Sequence, residues 1–137
     1  MDLAKQIKIV NENNVFMTYN GISVVHLEPD KAVLEGAITP NSRNIYGRPH
    51  GGLYFTMADC AAGVAARTDG RAYTTVSSSM NFVRTATGAT LRAVGIIRHR
   101  GRSLTTIATE VTDEEGNLIA EGLFTMFCLG DLPEHLR

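Results

Sequence analysis

The sequence has few of the residues that mark disulfide-rich, metal-binding, nucleic-acid-binding or membrane proteins. Its two cysteines, Cys60 and Cys128, are too few for a disulfide framework and lack metal-ligand spacing. The net charge is −1 and no long run of one sign occurs, which argues against nucleic acid or a membrane surface as the main partner. No apolar run reaches the ~18 residues that span a bilayer, and the N-terminus lacks the apolar core of a signal peptide. We therefore predict a soluble, cytoplasmic protein with one domain, residues 1–137.

What is present instead is a pattern of one long helix and several strands. Two short strand-like runs, ISVVHLE and KAVLEGAI, precede a polar, glycine-containing loop, NSRNIYGRPHGG. This loop leads into a helix from about Gly52 to Arg67, and four strand-like runs follow, YTTVSSSMNFV, ATLRAVGIIRHR, SLTTIATEVTD and NLIAEGLFTMFCL. These runs are about twice the mean strand length, so a meander of them can curve round one helix. The pattern predicts an α+β fold in which a long antiparallel sheet wraps around one central helix.

The predicted helix is apolar on every side. Its Leu, Phe, Met, Val and Ala residues leave almost no polar face, which is typical of a helix that is buried all round, and its small residues would let a sheet come close. Asp59 lies in the middle of it and is the only acidic residue between Glu35 and Asp69. A buried carboxylate is costly unless the protein depends on it. Asp59 is therefore either a structural residue bonded to nearby backbone or a general base.

A second feature is the sequence His50-Gly51-Gly52, which opens this helix. First-turn N–H groups lack internal partners and lie at the positive end of the helix dipole, and glycine lets a ligand oxygen approach them closely. The motif is either a simple glycine turn or a site that polarises a carbonyl group. Gly52 and Asp59 are seven residues apart, about 10 Å along the helix, which is too far for both to act on one carbonyl. If both are catalytic, we expect a site shared by two subunits across a twofold interface.

These residues resemble the signature of a known family. The motif N-x-x-G-x-x-H-G-G at residues 44–52, followed by Asp59, is similar to that of hotdog-fold acyl-CoA thioesterases, in particular the phenylacetic-acid-pathway (PaaI) group. The similarity covers most of the chain, from the early strands through YTTVSSSMNFVR and the RGR turn to GNLIAEGLFTMF. It implies a hotdog fold and a hydrolase that acts on acyl-CoA without a metal or an organic cofactor. It also implies a homodimer whose sheets join edge to edge, often paired again into a homotetramer.

The resemblance implies a role for each matched residue. Asp59 matches the catalytic carboxylate, which acts as general base on water or as nucleophile. The N–H of Gly51 matches the donor that polarises the thioester carbonyl, and His50 matches a residue beside the thioester. Asn44 matches a loop amide that orients water or the carboxylate, and Ser77 matches a hydroxyl that positions water.

Three arginines stand close together near the turn after the second of the four later strands. Arg98 and Arg100 share a strand face by the period of two, while Arg102 lies in the turn next to Gly101. Arginine suits phosphate, and coenzyme A carries three phosphoryl groups. The cluster, including Gly101, is either a substrate-binding site for the nucleotide or a solvated hairpin tip.

Several side chains near the motif are further candidates for the substrate site. Phe16, Tyr46, Phe55 and Phe82 could line an acyl pocket, although each one alone is typical of a hydrophobic core. Gly52 would lie beside the thioester as part of the helix start. A Cys60–His50 nucleophile pair is the less favoured reading, since an internal Cys is usually a small core residue.

The sequence therefore predicts an acyl-CoA thioesterase, with Asp59 as general base or nucleophile. Two alternatives stay open: a non-catalytic hotdog module that binds acyl-CoA as a sensor or carrier, and a hotdog hydratase or dehydratase, whose usual His/Asp arrangement is absent. No P-loop, dinucleotide fingerprint or G-x-S-x-G elbow occurs. The acyl group, and the choice between CoA and acyl-carrier protein, are left open by the sequence.

Overall fold

Strand and helix patterns of the sequence appear at the expected places in the computed structural model, which describes residues 1–137. Two short helices and two strands precede the central helix, and four strands follow it. The elements are α1 (Leu3–Asn13), α2 (Val15–Tyr19), β1 (Ile22–Glu28), β2 (Lys31–Ala37), α3 (Gly51–Ala66), β3 (Arg71–Phe82), β4 (Thr90–Arg100), β5 (Leu104–Thr112) and β6 (Leu118–Asp131). The predicted helix thus differs from α3 by one residue at each end.

All six strands form one antiparallel sheet in the order β1-β2-β4-β5-β6-β3. Only β4, β5 and β6 form a simple meander, so the prediction of a meander of all four later strands is wrong for β3. This strand pairs with β6 and not with β4. The physical reason is that α3 crosses the sheet before β3 begins, so β3 is added at the far edge. Hydrophobic periodicity identifies a strand but does not specify its neighbour.

Small residues allow α3 to lie directly on the sheet. A methyl group placed on Gly95 of β4 would lie 2.6 Å from the carbonyl oxygen of Ala61, far inside contact distance. Ala58, Ala61 and Ala62 of the helix are completely buried. The close approach expected from the small side chains of α3 is therefore confirmed.

The hydrophobic core fills the space between α3 and the concave face of the sheet. It contains 25 buried residues, drawn from α1, α2, α3 and the sheet strands. Phe124, Ile107 and Leu34 are among its largest completely buried side chains. Because side chains alternate along each strand, the residues between these positions face away from α3.

One side of α3 stays uncovered in the single chain, so the prediction of burial all round is wrong. We call this side the open stripe. Its residues recur at spacings of three and four, as one face of a helix requires, and they are exposed or half-buried: Gly52, Phe55, Thr56, Asp59, Cys60 and Gly63. The sheet touches α3 with all six strands but does not close around it. An apolar sequence alone does not show that the chain covers a helix on every side.

The two edges of the sheet differ in how their backbone groups are satisfied. At the β1 edge, the side chain of Asn11 on α1 accepts from the Val24 N–H at 2.8 Å and donates to the Val24 carbonyl at 3.0 Å. This amide takes the place of a neighbouring strand. At the β3 edge no element of the chain covers the twelve residues of the strand. The residues from Thr74 to Ser79 are all exposed.

Candidate active site

The carboxylate of Asp59 lies on the open stripe and is held by a neighbouring strand. The hydroxyl of Thr75 on β3 donates to Asp59 Oδ1 at 2.6 Å. Asp59 is half-buried in the single chain and not enclosed in the core as its apolar neighbours predicted. It is therefore available to a molecule that approaches the uncovered side of α3, while Thr75 fixes its orientation.

At the start of α3, His50 leaves one N–H group free. The Nδ1 atom of His50 accepts a hydrogen bond from the Gly52 N–H at 2.8 Å. The backbone carbonyl of His50 accepts one from the Leu53 N–H at 2.9 Å. The ring therefore carries its proton on Nε2 when it is neutral. The Gly51 N–H makes no hydrogen bond within the chain. It is left pointing outward from the positive end of the helix dipole.

The ring of Phe82 limits the space beside this free N–H group. A methyl group placed on Gly51 would lie 3.5 Å from the Phe82 ring, which is ordinary contact. On Gly52 the same methyl group would lie 2.9 Å from His50 Nδ1 and would disturb the cap. The two glycines therefore have different tasks: Gly52 allows the histidine cap, and Gly51 carries the unpaired donor.

The free N–H and the carboxylate of one chain are too far apart to share a substrate carbonyl. Gly51 and Asp59 are separated by eight residues of regular helix, or about 12 Å of rise. The carboxylate leans back toward the helix start, but a base and an oxyanion donor must both lie ~3 Å from the reacting atoms. The structure thus has an unbroken helix between the two groups, as the sequence argument from Gly52 to Asp59 assumed.

Asn44 organises the loop that leads to α3. Its Oδ1 atom accepts from the backbone N–H of Tyr46 at 2.9 Å and of Arg48 at 3.1 Å. This side-chain turn leaves the Nδ2 group of Asn44 without a partner in the chain. The loop carries Ile45 and Tyr46 at its tip, where they are 93% and 84% exposed. Such large apolar side chains at a tip are typical of a surface that meets another molecule.

Ser77 is not close to Asp59 within the chain. A bulge between Thr75 and Ser77 shifts the pairing of β3 with β6, so that Ser77 lies opposite Thr125. Phe124, the neighbour of Thr125, faces α3 and packs against Phe55. Ser77 and Thr125 therefore face away from the helix, and Thr75 is the hydroxyl that reaches the carboxylate. The extra residue of a bulge has no signature in the VSSS run, which is why the sequence did not single out Thr75.

A second bulge separates the three arginines. The pairing of β4 with β5 shifts between Ile97 and His99, so Arg98 and Arg100 do not share a face. Arg98 lies in a depression on the outer face of the sheet, and Arg102 is exposed in the turn. The prediction of a common strand face for Arg98 and Arg100 is wrong because it assumed an unbroken period of two.

Arg100 is bound within the protein itself. Its guanidinium donates to Asp69 at 2.7 Å, to Asp30 at 2.8 Å and to the carbonyl of Ala66 at 2.9 Å. These bonds tie the end of α3 to β4, which assigns Arg100 a structural task. Gly101 is likewise part of the turn, since its N–H donates to the Leu104 carbonyl at 2.9 Å.

The aromatic residues proposed for the acyl pocket are all accessible in the single chain. Phe55 on the open stripe is 37% exposed, and Phe82 beside the helix start is 54% exposed. Phe16 and Tyr46 are 67% and 84% exposed, so the alternative reading of core residues is wrong for all four.

Cys60 adjoins Asp59 but is not an activated nucleophile. Burial, together with the neighbouring Asp59 carboxylate, raises the pKa of the Cys60 thiol to about 12. Near neutral pH the sulfur is therefore protonated, whereas a nucleophilic cysteine needs a lowered pKa.

No three His, Cys, Asp or Glu side chains lie close enough together to hold a metal ion. None of the helices has the length and apolar character that crossing a membrane requires.

A single long helix wrapped by one antiparallel sheet defines the hotdog fold. In agreement, residues 46–120 match the family model described as Thioesterase superfamily, and the chain belongs to this superfamily. The predictions of the fold and of a PaaI-type thioesterase are thus confirmed.

Three proteins illustrate the similarity. A Deinococcus radiodurans protein whose name includes the word esterase is 34% identical over 108 residues, which cover 77% of this chain and 73% of the relative. The acyl-coenzyme A thioesterase PaaI of Escherichia coli is 26% identical over 110 residues, 80% of this chain and 79% of that one. Its structure gives a TM-score of 0.88 at 22% identity, covering 93% and 94% of the two chains. A Streptococcus mutans protein solved with bound acetyl-CoA gives a TM-score of 0.78 at 28% identity, covering 82% and 91%.

Proposed function

We propose that the protein hydrolyses an acyl-CoA or aryl-acyl-CoA thioester to the free acid and CoA, at sites that two subunits build together. The observation that carries this proposal is the pair of accessible groups on α3, the free Gly51 N–H and the Asp59 carboxylate, about 12 Å apart on one helix. Relatives named as an acyl-CoA thioesterase and solved with acetyl-CoA support the substrate class.

In the proposed reaction, Asp59 acts on water as a general base. The water oxygen attacks the thioester carbonyl carbon as its proton passes to Asp59, and the oxyanion forms beside the Gly51 N–H. Collapse of the tetrahedral intermediate breaks the carbon–sulfur bond and releases CoA thiolate, which then takes up a proton. Direct attack by the carboxylate on the thioester is the other route that the geometry allows.

Three further residues keep these two groups in place. Thr75 holds the carboxylate through its 2.6 Å bond to Oδ1. His50 occupies the Gly52 N–H and so leaves Gly51 as the sole free donor at the helix start. The Nδ2 group of Asn44 has no partner in the chain and lies on the same loop, from which it would orient water or the carboxylate.

The partner that completes the site is a second copy of this chain. Two antiparallel α3 helices around a twofold axis bring Gly51 of one chain to Asp59 of the other, which one helix cannot do. The open stripe provides the face for this contact, and the twelve-residue β3 provides an unprotected edge for joining the sheets. Between Thr74 and Phe82 there is no charged residue and no proline, the devices that normally prevent edge pairing. The dimer can pair again into a tetramer.

Arg98 and Arg102 are the arginines available to the nucleotide of CoA. Both are exposed and neither is paired with a carboxylate, whereas the guanidinium of Arg100 is fully occupied. Arginine side chains of this kind bind phosphate through paired N–H donors.

Replacing Gly51 by proline tests the donor directly. Proline at the first position of a helix keeps the helix start but removes its N–H, and the φ of −70° and ψ of 140° at His50 suit a residue before proline. We expect Gly51→Pro to lower kcat by about 10²–10³-fold. Gly51→Ala is the matched control, because it keeps the N–H and its methyl group would make only ordinary contact with Phe82. Equal activity of both variants would show that this N–H is not used.

Mixing two inactive variants tests the shared site. In a heterodimer of Asp59→Ala and Gly51→Pro, one of the two sites contains an intact Asp59 and an intact Gly51. Random re-association of equal amounts should restore about a quarter of wild-type activity if each site is built by both subunits. No recovery after verified subunit exchange would place the site within one chain. Tight binding of acyl-CoA without release of thiol by the wild type would instead favour the sensor or carrier.

A further inference from the structure

Arg67, directly after the last residue of α3, is a largely buried cation without a partner. Its side chain makes no hydrogen bond and no ion pair within the chain, although Arg71, Arg92 and Arg100 are each paired with a carboxylate. Burial lowers the pKa of the Arg67 guanidinium, which reflects the cost of keeping a charge away from water. A charge in such a place normally has a hydrogen-bonded counterpart.

The position of Arg67 continues the open stripe that carries Asp59. The residues Asp59, Gly63 and Arg67 follow one another at spacings of four along the helix. A methyl group placed on Gly63 would lie 3.9 Å from Arg67 Nη1, so the guanidinium lies back along the helix toward Gly63. It is therefore about one helical turn, or ~6 Å of rise, beyond Asp59.

Arg67 also lines a cavity of about 270 Å³ that contains no acidic residue. The cavity lies between the N-terminal helices and the C-terminal segment. Its lining is apolar or uncharged apart from this one cation and includes Gln6, Ile9, Val10, Asn13, Leu132 and Leu136. An apolar space with one unpaired arginine has the composition of a site for an apolar chain with an anionic end.

We propose that Arg67 binds a carboxylate at the far end of the acyl group, so that the preferred substrates are CoA monothioesters of short dicarboxylic acids. This inference rests on the proposed function. In the proposed reaction, the thioester carbonyl lies within ~3 Å of the Asp59 carboxyl group or of the water that Asp59 activates. The distance from this carbonyl to the Arg67 guanidinium is then about 6–10 Å. A chain of five or six carbons spans that distance. Carboxylated and neutral esters carry the same CoA phosphates, so a difference between them does not come from a contact of Arg67 with those phosphates.

Paired substrates of equal length isolate the contribution of the carboxylate. Glutaryl-CoA is compared with pentanoyl-CoA, and adipyl-CoA with hexanoyl-CoA, in wild type, Arg67→Met, Arg67→Lys and Arg92→Met. Arg92 is exposed and pairs only with Glu35, so it serves as the matched control. We expect wild type to prefer the carboxylated member of each pair. Arg67→Met should lower kcat/KM for that member ten- to hundredfold and change it for the neutral member less than threefold. Arg67→Lys should recover part of the loss, and Arg92→Met should behave as wild type.

Several outcomes would overturn the inference. Equal loss for both members of a pair would mean that Arg67 acts on the coenzyme or on the fold, and a change in oligomer size would mean that it pairs with the second subunit. Wild type that hydrolyses the neutral esters but not the carboxylated ones would also overturn it. Wild type that hydrolyses no thioester at all would instead count against the proposed function. Thermal unfolding of each variant checks that the fold is retained.

Discussion

The two sides of α3 differ although the helix is apolar along its whole length. The side that faces the sheet is closed by Ala58, Ala61 and Ala62, and it approaches β4 so closely that Gly95 has no room for a methyl group. The other side carries Asp59 and ends at the free Gly51 N–H, and nothing in the chain covers it. One helix therefore packs tightly on one side and leaves polar groups accessible on the other.

This difference shows how the chain accommodates a carboxylate in an apolar helix. A charge on the covered side would need a buried counterpart, which is expensive. On the uncovered side the carboxylate remains half-buried and is held by the single hydroxyl of Thr75. Substitutions on the two sides should therefore affect different quantities: the rate on the open stripe, and the free energy of unfolding on the sheet side.

The largest effect is expected for Asp59→Asn. The amide keeps the size and can still accept from Thr75, but it cannot take a proton from water, so kcat should fall by about 10³-fold or more. Release of thiol from an acyl-CoA is the measurement. The urea midpoint should stay close to that of wild type, because the change is on the open stripe. A folded variant with nearly normal turnover would refute the role of Asp59.

On the sheet side, Gly95→Ala should destabilise the protein without altering the chemistry. Its methyl group would overlap the Ala61 carbonyl, and overpacking of this kind costs about 1–3 kcal/mol. Chemical unfolding in urea measures the loss. Val94→Ala is the control, since this neighbour faces away from α3 and is half-buried, and it should cost less. If both variants lost the same stability, the close approach of α3 to β4 would be in doubt.

The next effect concerns the hydroxyl that holds the carboxylate. Thr75→Val removes the 2.6 Å bond with almost no change in shape and should lower kcat about tenfold, or ~1.4 kcal/mol in the barrier. Ser77→Ala, on the opposite face of β3, should change kcat less than twofold. The reverse order of the two effects would show that the strand register differs in the working dimer.

The smallest effect on the open stripe is expected for Cys60→Ala. Because the thiol has a pKa of about 12, it stays protonated up to strongly alkaline pH, and kcat should remain within about threefold of wild type. Mass spectrometry after iodoacetamide treatment at pH 8 should show Cys60 largely unmodified in the native protein and modified after unfolding. Rapid native alkylation with loss of activity would restore the cysteine nucleophile as a hypothesis.

Much of the site could be predicted from sequence because its signals are local. The motif at His50-Gly51-Gly52 predicts a helix start, and Asp59 stands out as the one carboxylate in an apolar run. The count of residues between them, with the rise of a helix, already indicated two subunits. These inferences need only the geometry of a single regular element.

The parts that could not be predicted depend on irregularities or on non-local pairing. A bulge before Ser77 brings the hydroxyl of Thr75, and not that of Ser77, to Asp59, and another beside Arg98 turns Arg98 and Arg100 to different faces. Each inserts a single residue that no local pattern marks. β3 lies beside β6 because α3 crosses the sheet before β3 begins. The open stripe exists because the sheet does not close around α3. Both are properties of the whole chain.

The side chain of Asn11 has a consequence for the size of the assembly. A sheet with two unprotected edges can add copies at both ends, which produces an open-ended polymer. Here the Asn11 amide occupies both backbone groups of Val24 at one end, which favours β3 as the edge that pairs. In the proposed dimer, two copies joined at β3 would each present their β1 edge to further chains. An asparagine of the first helix would thereby favour a closed pair over an open-ended row of sheets.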